Sequence, residues 1–165
     1  MAGVPANWTW AGPSGSPGPC VVFDLDGVIA DAWHRQHHLD GPRRDWKSFF
    51  AACHLDEPLE STISLGRAID ASATIVILTA RPASVHGPTL SWLEEHDVRW
   101  DLLIMRGAGD RGSPSPEYKR RSITELRRFG FEILVALDDD LRNIEMLDNE
   151  DVPAVYVHSG YYERD

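Results

Sequence analysis

Apolar residues fall in short, nearly unbroken runs: "CVVFD" (20–24), "TIVILT" (74–79), "DLLIMR" (101–106), "EILVALDD" (132–139) and "PAVYVH" (153–158). Runs without polar alternation are typical of strands covered on both faces. Between them the spacing turns helical. "PLESTISLGRAID" (58–70) pairs Leu59 with Ile63 and Leu65 with Ile69. "GPTLSWLEEH" (87–96) puts Pro88 near a helix start, where its missing N–H costs nothing. "SPEYKRRSITELRRFG" (115–130) offers Ser115 as N-cap, Pro116 at the first position and Gly130 as a stop, and "DLRNIEMLDN" (140–149) reads as a short amphipathic helix. Strands alternating with helices predict an α/β domain with a mainly parallel, five-stranded sheet and helices on both faces. The longest connection, 31–73, holds two helices at most and is too short for a large separate lid.

Composition narrows this picture. A chain of 165 residues with 42% apolar content suits one domain with a real core. Residues 1–19, "MAGVPANWTWAGPSGSPGP", carry no Lys or Arg and much Pro, Gly and Ser, so they read as a disordered leader or linker before a domain spanning 20–165. Trp8 and Trp10 are out of place in a leader; they either dock on the domain or belong to a longer parent protein. The two cysteines, Cys20 and Cys53, do not make a disulfide framework, and no apolar run approaches a membrane span, so a reduced, cytoplasmic setting is expected. A net charge of −10 argues against broad, sequence-independent nucleic-acid binding, yet leaves room for gripping one phosphorylated end.

The polar residues that close each run are of a particular kind. The first run ends in Asp24, the second in Thr79 followed by Arg81, the third in Arg106, and the fourth in Asp138, Asp139 and Asp140. A parallel sheet brings such ends to one edge, where open α/β folds bind ligands. Lys119 shares a helix face with Ile123 and Leu126 and points toward the same sheet. Two bare carboxylates about 4 Å apart repel by roughly 4 kcal/mol at an effective dielectric near 20. Such a cluster calls for a cation, and hard oxygen ligands suit Mg²⁺. Lys119 and Thr79 then complete a cradle for a phosphoryl group.

With these positions in hand, a resemblance emerges. "DLDGV" resembles the first motif of the haloacid dehalogenase superfamily, "ILTAR" the second, Lys119 the third and "LDDD" the fourth, in the superfamily's order. Asp45, Trp46 and Phe49 ("DW..F"), "TAR", "MR..GDR" (Met105, Arg106 and 109–111), Tyr118 with Lys119, and "ALDDDLRNIEML" (136–147) are similar to the phosphatase domain of polynucleotide kinase/3′-phosphatases, over roughly residues 20–160. The resemblance implies a Rossmann-like fold with a minimal cap. It departs at Asp140, where the match implies an Arg or a small residue. It departs again in lacking a kinase P-loop, GxxxxGK followed by Ser or Thr, so only the phosphatase half is expected in this chain.

By that resemblance Asp24 is the nucleophile, and Asp26 protonates the leaving oxygen and later deprotonates the attacking water. Mg²⁺ is held by Asp24, the Asp26 carbonyl and Asp139, and through water by Asp138. Thr79 and Lys119 hold the phosphoryl oxygens, while Arg81 and Arg106 bind substrate. Gly27, directly after Asp26, permits a sharp turn there. The expected activity is a Mg²⁺-dependent polynucleotide 3′-phosphatase, with a nucleotidase or other small-molecule phosphatase as the alternative. A phospho-receiver domain is a remoter rival. It would need a phospho-accepting Asp at the end of the third run, where Met105 and Arg106 stand. Blander readings accompany each residue: strand-end solvation or N-capping for Asp24 and Asp26, a backbone-bonded hydroxyl at Thr79, a solvated helix residue at Lys119, surface ion pairs at Arg81 and Arg106, an N-cap at Asp140. "WHRQHH" (33–38) invites comparison with a zinc site but reads better as solvated histidines, and Trp46 either stacks on a base or packs in the cap.

Overall fold

Six strands form the central sheet rather than the five expected. The computed structural model describes residues 3–13 and 15–163. The strands are β1 (Trp8–Trp10), β2 (Pro19–Phe23), β5 (Thr74–Pro82), β6 (Leu102–Arg106), β7 (Glu132–Asp138) and β8 (Ala154–Tyr156), in the order β1-β6-β5-β2-β7-β8. All neighbours are parallel except β1, which runs antiparallel along β6 with Trp8 opposite Ile104 and Trp10 opposite Leu102. Residues 8–10 are therefore an edge strand and not part of a disordered leader. Their aromatic side chains explain the difference. The Trp8 ring lies 4.9 Å from that of Phe129 and 6.2 Å from that of Phe131, and Trp10 also packs on Phe131.

Alternate residues of each strand feed two cores, so the runs look unbroken in the sequence. Val21, Phe23, Ile75, Ile77, Leu103 and Met105 face one side, where α2 (Glu60–Ala68) contributes Ile63 and α3 (His86–Glu95) contributes Trp92 and Leu93. Cys20, Val22, Val76, Leu78, Leu102 and Ile104 face the other. There α4 (Ser115–Arg128) inserts Tyr118, Ile123 and Leu126, and α5 (Leu141–Asn149) inserts Met146 and Leu147. The β7–β8 edge is less well covered: Leu134, Val155 and Tyr156 are exposed. Ser115 does not cap α4. Pro114 occupies that position, and the Ser115 hydroxyl instead accepts from Asn143 Nδ2 at 3.3 Å.

The connection between β2 and β5 is the small cap expected. It holds a two-stranded ribbon of β3 (Ala30–Asp31) and β4 (Glu57–Pro58), a 3-10 helix over Trp33–Leu39, α1 (Trp46–Ala51) and a further 3-10 turn over Ala52–Leu55. Trp46 packs against Phe49 and Phe50 while keeping part of its surface open. Among the described residues no helix is long and apolar enough to cross a membrane.

Candidate active site

The strand order places β2 between β5 and β7, so the carboxyl ends of these three strands share the crevice at the middle of the sheet. Asp24 follows the last residue of β2, and its N–H donates to the Leu137 carbonyl of β7 at 2.9 Å. Thr79 lies within β5, and Asp138 ends β7. The chain leaves strand geometry after Asp24. Gly27 has φ +81°, its N–H donates to the Ala30 carbonyl, and the Leu25 carbonyl accepts from Ile29 and Ala30.

A Cβ at Gly27 would lie 2.1 Å from Asp139 Oδ2 and 2.6 Å from its Cγ. Gly27→Ala should therefore combine left-handed strain of about 1–2 kcal/mol with displacement of the Asp139 carboxylate. We expect a fold retained by circular dichroism, a lower melting temperature, and turnover at this site reduced by roughly 100-fold or more.

Asp24, Asp138 and Asp139 converge so that one oxygen from each lies within 4.8 Å of the others. All three are nearly buried. Lys119, on the inner face of α4, reaches into the cluster with Nζ 3.0 Å from Asp24 Oδ2 and 2.6 Å from Asp138 Oδ2. Asp138 is otherwise occupied: its Oδ1 accepts from the Asp140 N–H and from Asn143 Nδ2, each at 3.0 Å. Asp139 Oδ2 is buried with no hydrogen-bond partner. A naked buried carboxylate oxygen beside two further acids is a costly arrangement without a cation. The set fits a hard divalent ion, with Asp24 and Asp139 offering free lone pairs and Asp138 holding Lys119 from behind.

The electrostatics agree. Burial pushes the Asp24 carboxyl well above the usual carboxylate range; Lys119 opposes this, and Asp138, Asp139 and Asp26 add to it. Asp139 is pushed up to about 7, chiefly by burial, with the Ser159 hydroxyl opposing and Asp138 repelling. Burial disfavours the charged amine of Lys119, yet the Asp138 and Asp24 carboxylates outweigh it and raise the pKa.

Asp26 sits in a different environment. Burial would raise its pKa, but Arg35 and then Arg81 hold it below the ordinary range. Arg35 Nη2, Arg81 Nε and Arg81 Nη2 donate to Asp26 Oδ1 at 2.7, 2.9 and 2.6 Å. Both guanidiniums also grip Asp56: Arg35 through Nε and Nη2 at 2.7 Å each, Arg81 through Nη2 at 2.7 Å. Asp56 takes a further bond from His34 Nε2 at 2.9 Å, and the Asp56 carbonyl accepts from Trp92 Nε1 at 2.8 Å. Thr79 is buried, with its Oγ1 accepting from the Arg81 N–H at 3.2 Å.

The structure thus gathers Asp24, Asp138, Asp139 and Lys119 into one cluster, with Asp26 and Arg81 beside it. Arg106 stays apart. Its guanidinium caps the carbonyls of Asp110 and Ser113 and lies 5.0 Å above the Tyr118 ring, pinning the loop after β6. Asp140 caps α5, accepting from the Arg142 N–H at 2.9 Å. The 33–38 segment contributes no metal group among the described residues; His37 and His38 stack on each other, and Arg35 is the member that reaches the site. Arg35 and Asp56 escaped the sequence reading. Arg35 lies inside a histidine-rich string, and Asp56 is an acid in a cap with no periodic pattern. Asn143 was legible only as part of the "DDDLRN" string.

A parallel α/β sheet with Asp24, Asp26, Thr79, Lys119 and an acidic pair at its carboxyl edge defines a phosphatase of the haloacid dehalogenase type. More narrowly, residues 18–162 match the family of the polynucleotide kinase PNKP phosphatase domain, and the chain belongs to that family. Solved structures carry the same fold. One described as the Pnkp1/Rnl/Hen1 RNA repair complex matches with a TM-score of 0.68 at 20% identity, over 91% of this chain and 45% of that one. A class C acid phosphatase from Bacillus anthracis with tungstate bound matches with a TM-score of 0.61 at 14% identity, over 90% and 69%. A haloacid dehalogenase superfamily hydrolase from Geobacter sulfurreducens matches with a TM-score of 0.55 at 13% identity, over 90% of each chain. The chain spans under half the length of the repair-complex protein. No curated protein matches it.

Proposed function

We propose that this protein is a Mg²⁺-dependent phosphomonoesterase that removes 3′-phosphates from nucleic-acid ends through an aspartyl-phosphate on Asp24. The observation that carries this is the Asp24 carboxylate, set 3.0 Å from the Lys119 amine inside a triad of acids at an open sheet edge. Asp24 attacks phosphorus, and the bond to the leaving 3′ oxygen breaks as Asp26 gives it a proton. Water then attacks the phosphorus, Asp26 takes the proton back, and the bond to Asp24 breaks to release phosphate. Asp24, Asp139 and the Asp26 carbonyl would hold Mg²⁺, which would supply neutralisation of the phosphoryl charge. Lys119 and Thr79 hold the phosphoryl oxygens as charge builds in the transition state.

The two arginines on Asp26 keep it ionised, which suits the second half of the cycle. The first half requires one fork to turn from Asp26 onto a substrate oxygen, and Arg81 makes two of the three contacts. A substrate oxyanion competing for Arg81 would thereby free Asp26 to carry its proton. The small cap leaves room for a polymer end, and family membership favours a polynucleotide over a metabolite. Cys20 and Cys53 are both buried free thiols, which suits a reducing cytoplasm.

The deciding experiment is phosphate release from 3′- and 5′-phosphorylated oligonucleotides, mononucleotides and sugar phosphates. Preference for the 3′-phosphorylated oligonucleotide is expected; preference for mononucleotides would make the enzyme a nucleotidase. Steady turnover of any ester disposes of a receiver domain.

Metal dependence has its own test. Folding raises the Asp139 carboxyl from 3.8 to about 7, so the metal-free fold favours the proton-bound form. That contribution is complete below about pH 4 and is lost as pH rises through 7. A cation replaces the proton. At 100 times its Kd it adds about 2.7 kcal/mol, or roughly 5–10 °C in Tm for a chain of this size. Thermal melts should show that shift with MgCl₂ at pH 8, a much smaller one at pH 5, and reversal by EDTA.

A further inference from the structure

The cap and the tail bring aromatic rings to the rim of the site, and the proposed chemistry leaves them unused. Trp33, the first residue of the 3-10 helix, is 55% exposed. Its ring centroid lies 6.3 Å from that of Tyr161, with the planes 33° apart. Both residues are tied to one acceptor. Asp31 Oδ1 takes the Trp33 N–H at 2.9 Å and the Tyr161 hydroxyl at 2.8 Å, and that hydroxyl in turn accepts from the Ala32 N–H at 2.6 Å. Tyr161 is thus held at both ends of its hydroxyl, and the tail after β8 is fastened to the cap.

Tyr161 borders the reacting groups, and Trp33 lies against Tyr161. A Cβ at Gly27 would lie 3.0 Å from Tyr161 Cε2 and 2.1 Å from Asp139 Oδ2, so ring edge and carboxylate border the same Cα. The Tyr161 hydroxyl also senses the Asp26 charge. An exposed indole beside a fixed phenol that itself borders the acidic cluster is a costly surface for a chain that could have placed polar groups there. Flat aromatic faces suit a nucleobase, since every base has a π-face to stack. A terminal 3′-phosphate seated at Asp24 has its own base a sugar's length away.

On the reading of the site as a 3′-phosphatase, we propose that Trp33, backed by Tyr161, is a stacking platform for the base of the 3′-terminal nucleotide. The platform is indifferent to base identity and gives the enzyme a preference for an end that still bears a base. Asp31 acts only as a positioning residue for the two rings.

The test compares two oligonucleotides of equal length, both 3′-phosphorylated. One ends in a normal nucleotide and the other in an abasic deoxyribose. Stacking of one base is expected to give the Mg²⁺-loaded wild type about a 10-fold higher kcat/KM on the base-bearing end, mostly through KM. Trp33→Ala should erase that difference by lowering only the base-bearing value, while Trp33→Phe keeps most of it. Trp46→Ala, the other exposed tryptophan of the cap, should leave the difference intact. Equal rates of wild type on the two ends, an equal loss on both with Trp33→Ala, or loss of the difference with Trp46→Ala would each overturn the platform. A wild type that releases phosphate from mononucleotides or sugar phosphates but from neither oligonucleotide would overturn the 3′-phosphatase reading, and the platform with it.

Discussion

Asp24→Asn should abolish turnover, by roughly 1,000-fold at the least, and leave a folded protein whose metal-free stability equals or exceeds that of the wild type. The first half follows from chemistry, because an amide is too poor a nucleophile to form the acyl-phosphate bond. The second follows from the site. Asp24 is buried among acids, and its carboxyl is held well above the usual range, so folding favours an uncharged group there. Lys119 loses one of its two carboxylates but keeps Asp138 at 2.6 Å. Phosphate release from the best substrate, with thermal melts in EDTA, checks both halves. Substantial residual turnover removes Asp24 as nucleophile, and collapse of the fold shows that its charge is structural.

The largest effect on stability is expected away from the nucleophile, at Asp56→Ala. Arg35 and Arg81 are fully buried, and Asp56 is their shared anion. Removing it leaves two buried guanidiniums on the single carboxylate of Asp26, which is partly exposed. Breaking one side of a buried ion cluster costs about 3–5 kcal/mol, and the Trp92–Asp56 backbone contact joins the cap to α3, so the loss should spread through the cap. We expect urea denaturation to show a drop of that size. Asp56→Asn, which keeps one acceptor oxygen that the two Nη2 groups can share, should lose less. If both variants melt like the wild type, the cluster contributes no net stability.

Much of this architecture was legible in the sequence because physics writes it in local patterns. Strands buried on both faces must be apolar throughout, so β2, β5, β6 and most of β7 announced themselves. Gly27 was legible as a residue that permits a sharp turn after the two carboxylates, and its φ of +81° came only with the fold. Lys119 was placed by helical spacing alone. What escaped has a common cause. Trp8–Trp10 is three residues long and is held by contacts with Phe129 and Phe131, more than a hundred positions away, so composition outvoted it. Arg35 and Asp56 lie in irregular cap segments, where no period marks a side chain as inward. Arg81 was legible as a site residue but not as the partner of two carboxylates, since its reach to Asp56 depends on how the cap folds back.

The short strand at Trp8–Trp10 bears on how the protein must be handled. The family match begins at residue 18, and a chain trimmed to that boundary would discard the flank that pairs with β6. The bare backbone of β6 would then be a template for a neighbouring molecule, and Phe129 and Phe131 would lose their indole shield. Such a shortened polypeptide should clump during purification while its acidic cluster remains intact, a failure easily mistaken for an inactive enzyme.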